Sequence, residues 1–385
     1  MATVGRHTSH CTVNLSIIRR NLERVKLRAP RAKVLPMVKG NAYGNGMAEV
    51  ASFLAFECGC NTLGVASLGE AIDLDRQLPT FFSSPKRRLV VFSDPELENA
   101  ELRTWYRKRN IVPVVHNTTD AQLFIEDPSM SDVPLFVKVN TGMNRNGIDV
   151  RDVETVAGML KKSSRRSRRV DHLLTHFGSA DLKLAPGDRT SRQLEAFAKA
   201  KEEFKVAEIE VADTSVSNSA AILQGIGVDE SWVRPGLMLY GPAAAEPSVP
   251  WEGEQCSRFV TKVIAEPVVR RKGELIGYGA NPMPEDGLVV NIGVGYADGF
   301  LRLYRGFPVT INGLSGKLHG VTSMDASALL FPASAAGKIK KGDSVQLWGH
   351  DHNQIDELAT AMDTNAYQLM CALSIRVPRR YVRDD

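Results

Sequence analysis

Eight short runs rich in Val, Ile and Leu recur between residues 33 and 239, and this repeat limits the folds open to the chain. The stretches between the runs are longer and amphipathic, and residues 46–58 and 192–205 carry apolar side chains at helical spacing. Eight strand-plus-helix units of this size predict a parallel (β/α)8 TIM barrel, an α/β fold. An open, doubly wound sheet is the alternative, because a repeat alone does not show closure. The runs are residues 33–38, 62–66, 89–92, 111–115, 135–139, 170–174, 210–216 and 232–239.

The pattern changes after Gly241. Residues 243–250 are small and include proline, which is typical of a linker. Beyond them, β-type runs alternate with glycine-bearing turns, and only residues 355–362 and 366–374 have helical spacing. We therefore predict two domains: a barrel over residues 1–245 and a mostly β domain over residues 246–385. The β-type runs are residues 259–270, 287–294, 308–311, 317–321 and 344–348.

Composition and charge exclude several classes of protein. The 48 basic and 44 acidic residues leave a formal charge of only +4, which does not indicate a nucleic-acid partner. No apolar run reaches the roughly 18 residues that a membrane span needs. Residues 1–10 are polar and lack the apolar middle of a signal peptide, so we expect a cytoplasmic protein, or a periplasmic one if a signal peptide has been removed. Five scattered cysteines favour neither a disulfide framework nor a metal site.

The first barrel run is followed by Lys39 and a glycine-rich segment, residues 40–46. Reactive groups of barrel enzymes gather at the carboxyl ends of the strands. Burial lowers the pKa of a lysine and leaves the free amine that imine formation requires. A strand-end lysine that simply extends to water is the alternative. The glycines suit a tight turn where backbone approaches a ligand, and Tyr43 is placed to offer its hydroxyl to a phosphate.

This segment resembles the cofactor-lysine motif of alanine racemases, a family of pyridoxal-phosphate enzymes with a barrel and a β domain. Further segments are similar to that family's motifs in the same order along nearly the whole chain. They are residues 138–145, 175–177 with 180–181, 217–219, 234–236 with 239–241, 277–279, 295–299, 323–325 and 376–379.

The resemblance implies pyridoxal 5'-phosphate as the cofactor, carried by Lys39 as an imine. Arg234 would face the pyridine nitrogen without protonating it, because a guanidinium keeps its proton. Arg145 would bind the phenolic oxygen, and Lys138 is a candidate for carbamylation that would hold Arg145. His176 would bind Arg234 or, through a neighbour, the second acid/base residue. The groups implied to hold the phosphate are Tyr43, Ser219, the backbone N–H groups of Gly236 and Leu237, and Tyr367.

Racemisation needs a proton donor and acceptor on each face of a planar carbanion, and one lysine does not serve both faces. The resemblance assigns the second face to Tyr278, contributed by the β domain of a neighbouring subunit. Met324, through its backbone N–H, and Asp325 would come from the same partner and place a small amino-acid substrate together with Arg145. A homodimer with shared active sites is therefore implied.

Alanine is the first expectation for the substrate, with a broad-specificity racemase that also accepts Lys, Arg and Ser as the alternative. That alternative rests on departures from the family pattern: Gly40 and Asn45 replace Ala and His, Asn140 and Asn146 replace an acidic and an apolar residue, and Ala326 replaces an amide. A decarboxylase of the same barrel class is disfavoured, because such enzymes place a carboxylate at the pyridine nitrogen. A cofactor-binding protein without activity would stop at the barrel.

Overall fold

The computed structural model describes residues 7–243, 250–279, 281–302, 304–349 and 354–384. Within these ranges, no helix combines the length and apolar character needed to cross a membrane.

Strands and helices alternate up to residue 240, and strands dominate after it. The strands are β1 (His10–Asn14), β2 (Lys33–Val34), β3 (Thr62–Ser67), β4 (Arg88–Asp94), β5 (Ile111–Val115), β6 (Phe136–Asn140), β7 (Ile148–Asp149), β8 (Arg169–Leu174), β9 (Glu210–Ser215), β10 (Trp232–Val233), β11 (Ser257–Lys262), β12 (Val268–Arg270), β13 (Gly287–Ile292), β14 (Pro308–Ile311), β15 (Leu314–Leu318), β16 (Ser327–Pro332), β17 (Ser344–Trp348) and β18 (Arg379–Val382). The α-helices are α1 (Leu15–Arg28), α2 (Lys39–Tyr43), α3 (Met47–Ser52), α4 (Leu68–Gln77), α5 (Ala100–Arg109), α6 (Thr118–Glu126), α7 (Val153–Lys162), α8 (Arg189–Val206), α9 (Ser219–Leu223), α10 (Ile355–Ala361) and α11 (Ala366–Cys371).

The barrel strands run parallel and close into a ring. Strands β3, β4, β5, β6, β8 and β9 are hydrogen-bonded in that order, and β10 pairs with β2. Two backbone contacts supply the remaining joints: the Arg234 N–H donates to the Ser217 carbonyl at 3.0 Å, and the Val38 N–H donates to the Gly64 carbonyl at 2.8 Å. The barrel prediction is thus confirmed, and each of the eight predicted runs contains a strand.

Helix α8 illustrates how the sequence determines the outer layer of the barrel. The Asp188 carboxylate precedes the helix and accepts a hydrogen bond from the Ser191 N–H at 2.7 Å, satisfying one of the free donors of the first turn. Phe197, Ala200 and Phe204 recur at three- and four-residue spacing and are all buried. The helix therefore lies with this apolar face against the strands.

The second sheet has nine strands in the order β12-β13-β16-β15-β14-β17-β11-β1-β18. Strand β1 pairs antiparallel with β11 and parallel with β18, and its Cys11 and Val13 side chains are fully buried. The predicted division near residue 245 assigned residues 10–14 to the barrel, whereas β1 belongs to this sheet. Strands β16 and β18 were not predicted, and residues 244–249 of the predicted linker lie outside the described residues.

The end of the chain holds the loop that follows Lys39. From β18, the Arg379 Nε donates to the Gly44 carbonyl at 2.9 Å, and the Tyr381 hydroxyl donates to the Asn45 carbonyl at 3.1 Å. A Cβ at Gly46 would fall 1.8 Å from the Tyr381 Oη, so only glycine fits this approach. The second sheet thereby holds the loop that connects α2 to α3.

Candidate active site

A cavity of about 240 Å³ lies at the carboxyl ends of the barrel strands. Most of its lining comes from residues that end or follow β2, β4, β6, β8, β9 and β10, and Tyr367 on α11 comes from the C-terminal part. The cavity brings together most of the site residues proposed from the sequence, which are Lys39, Tyr43, Lys138, Arg145, His176, Ser219, Arg234, Gly236 and Tyr367.

Lys39 begins α2 and is followed by backbone that L side chains rarely adopt. Residues 40–44 all have positive φ, from +53° at Ala42 and Tyr43 to +81° at Gly44. A Cβ at Gly44 would lie 2.0 Å from the Met370 carbonyl oxygen, so this position accepts only glycine. The Glu70 carboxylate accepts from the Gly40 N–H at 2.7 Å and fixes the turn directly after the lysine.

The Lys39 amine has a lowered pKa. Burial disfavours its charged form, and the positive charges of Arg145 and Arg234 act in the same direction, while the Glu70 carboxylate opposes them. The predicted condition for a nucleophilic amine, a lysine whose charged form is disfavoured, is therefore present at this position.

Another part of the cavity lining carries hydroxyl groups and a backbone N–H group, from Tyr43, Ser219, Tyr367 and Gly236. The Ser219 Oγ, at the start of α9, accepts from the Gly236 N–H at 2.9 Å and from the Met238 N–H at 3.5 Å. The Tyr43 and Tyr367 rings lie 5.8 Å apart between their centroids. Burial raises the pKa of both phenols, that of Tyr367 to about 12, so both remain hydrogen-bond donors at neutral pH.

Leu237, the other backbone donor proposed for the phosphate, has a different environment. Its side chain is buried and it begins a short 3-10 turn. It is not among the residues that line the cavity, although it directly follows Gly236.

Arg234 is buried, and its guanidinium contacts only neutral acceptors. It donates to the Ser215 hydroxyl, to the Thr175 carbonyl and, at 3.3 Å, to the Val216 carbonyl. Within the described ranges, no carboxylate lies at ion-pair distance from it. Its positive charge is therefore available to a group in the cavity.

Lys138 lies on β6, with its Nζ hydrogen-bonded to the Asn146 Oδ1. Burial, reinforced by the charges of Arg145 and Arg234, lowers the pKa of its amine to about 7. Burial and the same cations also hold the pKa of His176 well below its ordinary value, so this imidazole is neutral. Among the described residues that line the cavity, four are lysines or arginines and none carries a carboxylate, which suits an anionic ligand.

Tyr278, Met324 and Asp325 lie away from this cavity in the single chain. The Tyr278 side chain is 70% exposed, and Met324 is 52% exposed. The Asp325 carboxylate accepts from the Arg376 Nη2 at 2.7 Å. The structure thus separates these three from the nine residues that the cavity collects.

Sequence reasoning missed several lining residues, which are Met37, Phe92, Ser93, Leu174 and Asn218. Phe92 and Ser93 stand at the carboxyl end of the third apolar run, so the barrel rule itself could have found them. Gly64 leaves room for the Met37 and Phe92 side chains, because a Cβ at residue 64 would lie 2.5 Å from the Met37 Sδ and 2.9 Å from the Phe92 ring.

A buried amine, a buried guanidinium and a cluster of hydroxyl and backbone donors share one cavity at the mouth of a closed barrel. This arrangement defines a barrel enzyme with an anion-binding active site. Residues 13–244 match the family model "Alanine racemase, N-terminal domain", and residues 257–381 match "Alanine racemase, C-terminal domain". The chain belongs to the alanine racemase family, whose members are isomerases.

Individual relatives support this assignment over the full length of the chain. The alanine racemase of Variovorax paradoxus (strain S110) is 32% identical over 384 residues, covering 95% of this chain and 96% of that protein. The alanine racemase of Coxiella burnetii (strain CbuG_Q212) is 30% identical over 375 residues, with the same coverage. Among solved structures, the biosynthetic alanine racemase of Pseudomonas aeruginosa matches with a TM-score of 0.82 and 29% identity, covering 98% of this chain and 100% of that one.

Proposed function

We propose that this chain is a pyridoxal-phosphate-dependent racemase that interconverts L- and D-alanine with Lys39 and Tyr278 as its two acid/base residues. The observation that carries the proposal is the cavity in which Lys39, with a lowered pKa, shares one space with the guanidinium of Arg234, whose acceptors within the described residues are all neutral. Alanine is the substrate we propose because the full-length relatives described above are named alanine racemases.

The residues present fit pyridoxal 5'-phosphate. Tyr43, Ser219, Gly236 and Tyr367 offer hydroxyl and backbone groups at one end of the cavity, suited to a phosphate. Lys39 would hold the cofactor covalently, and the basic lining compensates the phosphate charge. When bound, the cofactor withdraws electrons from the substrate Cα and thereby makes its proton acidic.

Each basic group of the cavity has a separate task. Lys39, as a free amine, would remove or return the α-proton on its own face of the substrate. Arg234 would donate an N–H to the pyridine nitrogen and keep its own proton, because the guanidinium stays protonated at neutral pH even though burial lowers its pKa to about 9. Arg145 would bind the phenolic oxygen of the cofactor, and Lys138, which lines the same cavity, is the candidate for carbamylation.

The second face requires a residue from another chain. Tyr278 is 70% exposed and does not line the cavity of its own chain, so its hydroxyl is free to enter the cavity of a partner. Met324 and Asp325 also lie outside the cavity and would accompany it. We therefore propose a homodimer in which each active site is completed by the β domain of the partner.

The test is to identify the lysine that carries the cofactor. Borohydride reduction of the purified protein, followed by peptide mapping, is expected to leave the label on Lys39, and Lys39→Ala is expected to abolish racemisation of alanine in both directions. Lys162→Ala, on an exposed position of α7, is the matched control and should behave as the wild type. Label on another lysine, or an active Lys39→Ala variant, would refute the assignment.

A further inference from the structure

A buried hydrogen-bonded chain connects Arg234 to a histidine that does not line the cavity. The His172 Nε2, on β8, lies 2.7 Å from the Ser215 Oγ at the end of the neighbouring β9. The same Oγ accepts a hydrogen bond from the Arg234 Nη1. His172 is 1% exposed, Ser215 0% and Arg234 5%, so these three residues are almost completely shielded from solvent.

The direction of these hydrogen bonds follows from the available protons. The Arg234 guanidinium only donates, so the Ser215 oxygen accepts from it and its own O–H requires an acceptor elsewhere. Within the described residues, the acceptor in reach is the His172 Nε2. The reverse arrangement, with a proton on Nε2, would leave the serine O–H and the Nδ1 lone pair both without partners. The arrangement with fewer unsatisfied buried groups has the proton of His172 on Nδ1.

The surroundings of His172 hold it neutral and in place. Its ring stacks on Phe136, with 4.8 Å between ring centroids, and lies 5.9 Å from the Trp232 ring. Burial, together with the nearby charge of Arg234, lowers the pKa of the imidazole to about 3. A neutral ring can accept from Ser215, whereas an imidazolium could not.

We propose that His172 is a positioning residue for Arg234, acting through Ser215. The other two acceptors of the guanidinium, the carbonyls of Thr175 and Val216, are fixed by the backbone. A serine hydroxyl rotates freely unless its proton is held, and His172 holds that proton and so keeps the oxygen lone pair on Arg234. The inference rests on the proposed function, in which Arg234 faces the pyridine nitrogen of the cofactor.

The test is a double-mutant cycle on the holoenzyme with Ser215→Ala and His172→Phe. Ser215→Ala removes one hydrogen bond to a charged group and is expected to lower kcat about tenfold. His172→Phe, which leaves the serine hydroxyl free to rotate, is expected to lower kcat by up to the same factor. In both variants KM should change less than about twofold. The double variant should be no slower than the slower single one, because both changes break the same chain. His172→Gln, whose amide oxygen can accept the serine proton, should recover part of the loss. His10→Phe, on β1 of the other sheet, should leave kcat unchanged.

Two further measurements keep the outcome decisive if a variant folds poorly. ¹⁵N NMR of wild-type holoenzyme labelled at histidine should show the Nδ1–H tautomer for His172, and apoprotein of the single variants should bind pyridoxal phosphate more weakly than wild type. A wild-type Nε2–H tautomer, additive losses in the double variant, or unchanged kcat in His172→Phe would overturn the proposal. A wild-type protein without label on Lys39 would instead show that the proposed function itself fails.

Discussion

The Tyr43 hydroxyl lies directly against the backbone of Gly236, so that a Cβ on this glycine would fall 2.1 Å from the tyrosine oxygen. Tyr43 belongs to the loop that follows Lys39, and Gly236 follows the eighth strand of the barrel. The contact therefore joins the first and last units of the ring at the end of the cavity assigned to the phosphate. A side chain at residue 236 would therefore displace the Tyr43 ring.

Gly236→Ala is expected to destabilise the protein by about 1–3 kcal/mol, because the added methyl group overpacks the contact with Tyr43. The free energy of unfolding measured in urea checks this value. The double variant Gly236→Ala with Tyr43→Phe should recover part of the loss. Gly158→Ala, in α7, where a Cβ would meet nothing within 4 Å, is the control and should not destabilise. Equal effects of the two glycine substitutions would contradict the steric explanation.

Tyr278→Phe is expected to slow removal of the α-proton from one enantiomer of alanine far more than from the other, because Lys39 still serves its own face. Exchange of the α-proton in D₂O, followed separately for L- and D-alanine, measures the two steps. A decrease of about 100-fold or more in the exchange rate of one enantiomer only would be in the range expected for the loss of a general acid–base catalyst. Small and equal effects on both enantiomers would count against a two-base mechanism.

The buried Lys138 amine should make stability depend on pH. Its pKa is about 7 in the folded protein against 10.5 for the ordinary amine, so the unfolded chain binds more protons between these values. The cost of burying this lysine is therefore complete below pH 7 and disappears as the pH rises toward 10.5. Apoprotein Lys138→Met should be more stable than wild type at neutral pH by on the order of 2 kcal/mol. Urea unfolding should show this difference shrinking toward pH 10, and a constant difference would contradict the pKa.

The same low pKa predicts that Lys138 reacts with CO₂, since only the neutral amine forms a carbamate. Wild-type protein equilibrated with ¹³C-bicarbonate near neutral pH should show a carbamate resonance by ¹³C NMR. Lys138→Arg should lose this resonance, while Lys162→Ala should keep it. Its absence from the wild type would mean that the hydrogen bond to Asn146 holds this lysine unmodified.

Substrate range is best read from α-deuteration of a panel of L-amino acids in D₂O. Alanine is expected to exchange fastest. Asn140 and Asn146 depart from the family pattern within and directly after residues 138–145. Strong exchange of Lys or Arg would therefore assign the chain to the broad-specificity alternative instead. Asn146→Leu, which restores an apolar residue at this position, should then narrow the range of substrates. The rate of α-proton exchange in alanine should stay within about threefold of the wild-type rate.

The barrel could be predicted because each of its strands is marked by a short apolar run that can be recognised from neighbouring residues alone. Residues 89–92 and 111–115 are apolar throughout, and every residue of β5 is buried. Strand β1 could not be assigned in this way, since its partners β11 and β18 are about 250 and 370 residues away along the chain. Its five residues carry no signal for either sheet, and only the tertiary pairing decides.

For the site, the sequence motifs predicted which residues would face one another inside a single chain. The cavity contains Lys39, which the sequence places at a strand end, together with Arg145 and Arg234, which the resemblance to the family implied. Ser215 and His172 were missed, because a serine and a histidine inside strands look like ordinary interior residues until their hydrogen bonds are seen. The position of Tyr278 relative to Lys39 stays a prediction, since it depends on a second chain.

The first and last strands of the described residues, β1 and β18, are neighbours in the same nine-stranded sheet. A single break between Ala243 and Pro250 would therefore not yield two independent pieces. The N-terminal fragment would still contribute its first strand, with Cys11 and Val13 inside the sheet, to the C-terminal fragment. Each half would be insoluble or incomplete when expressed by itself, yet the two should reassemble when produced together.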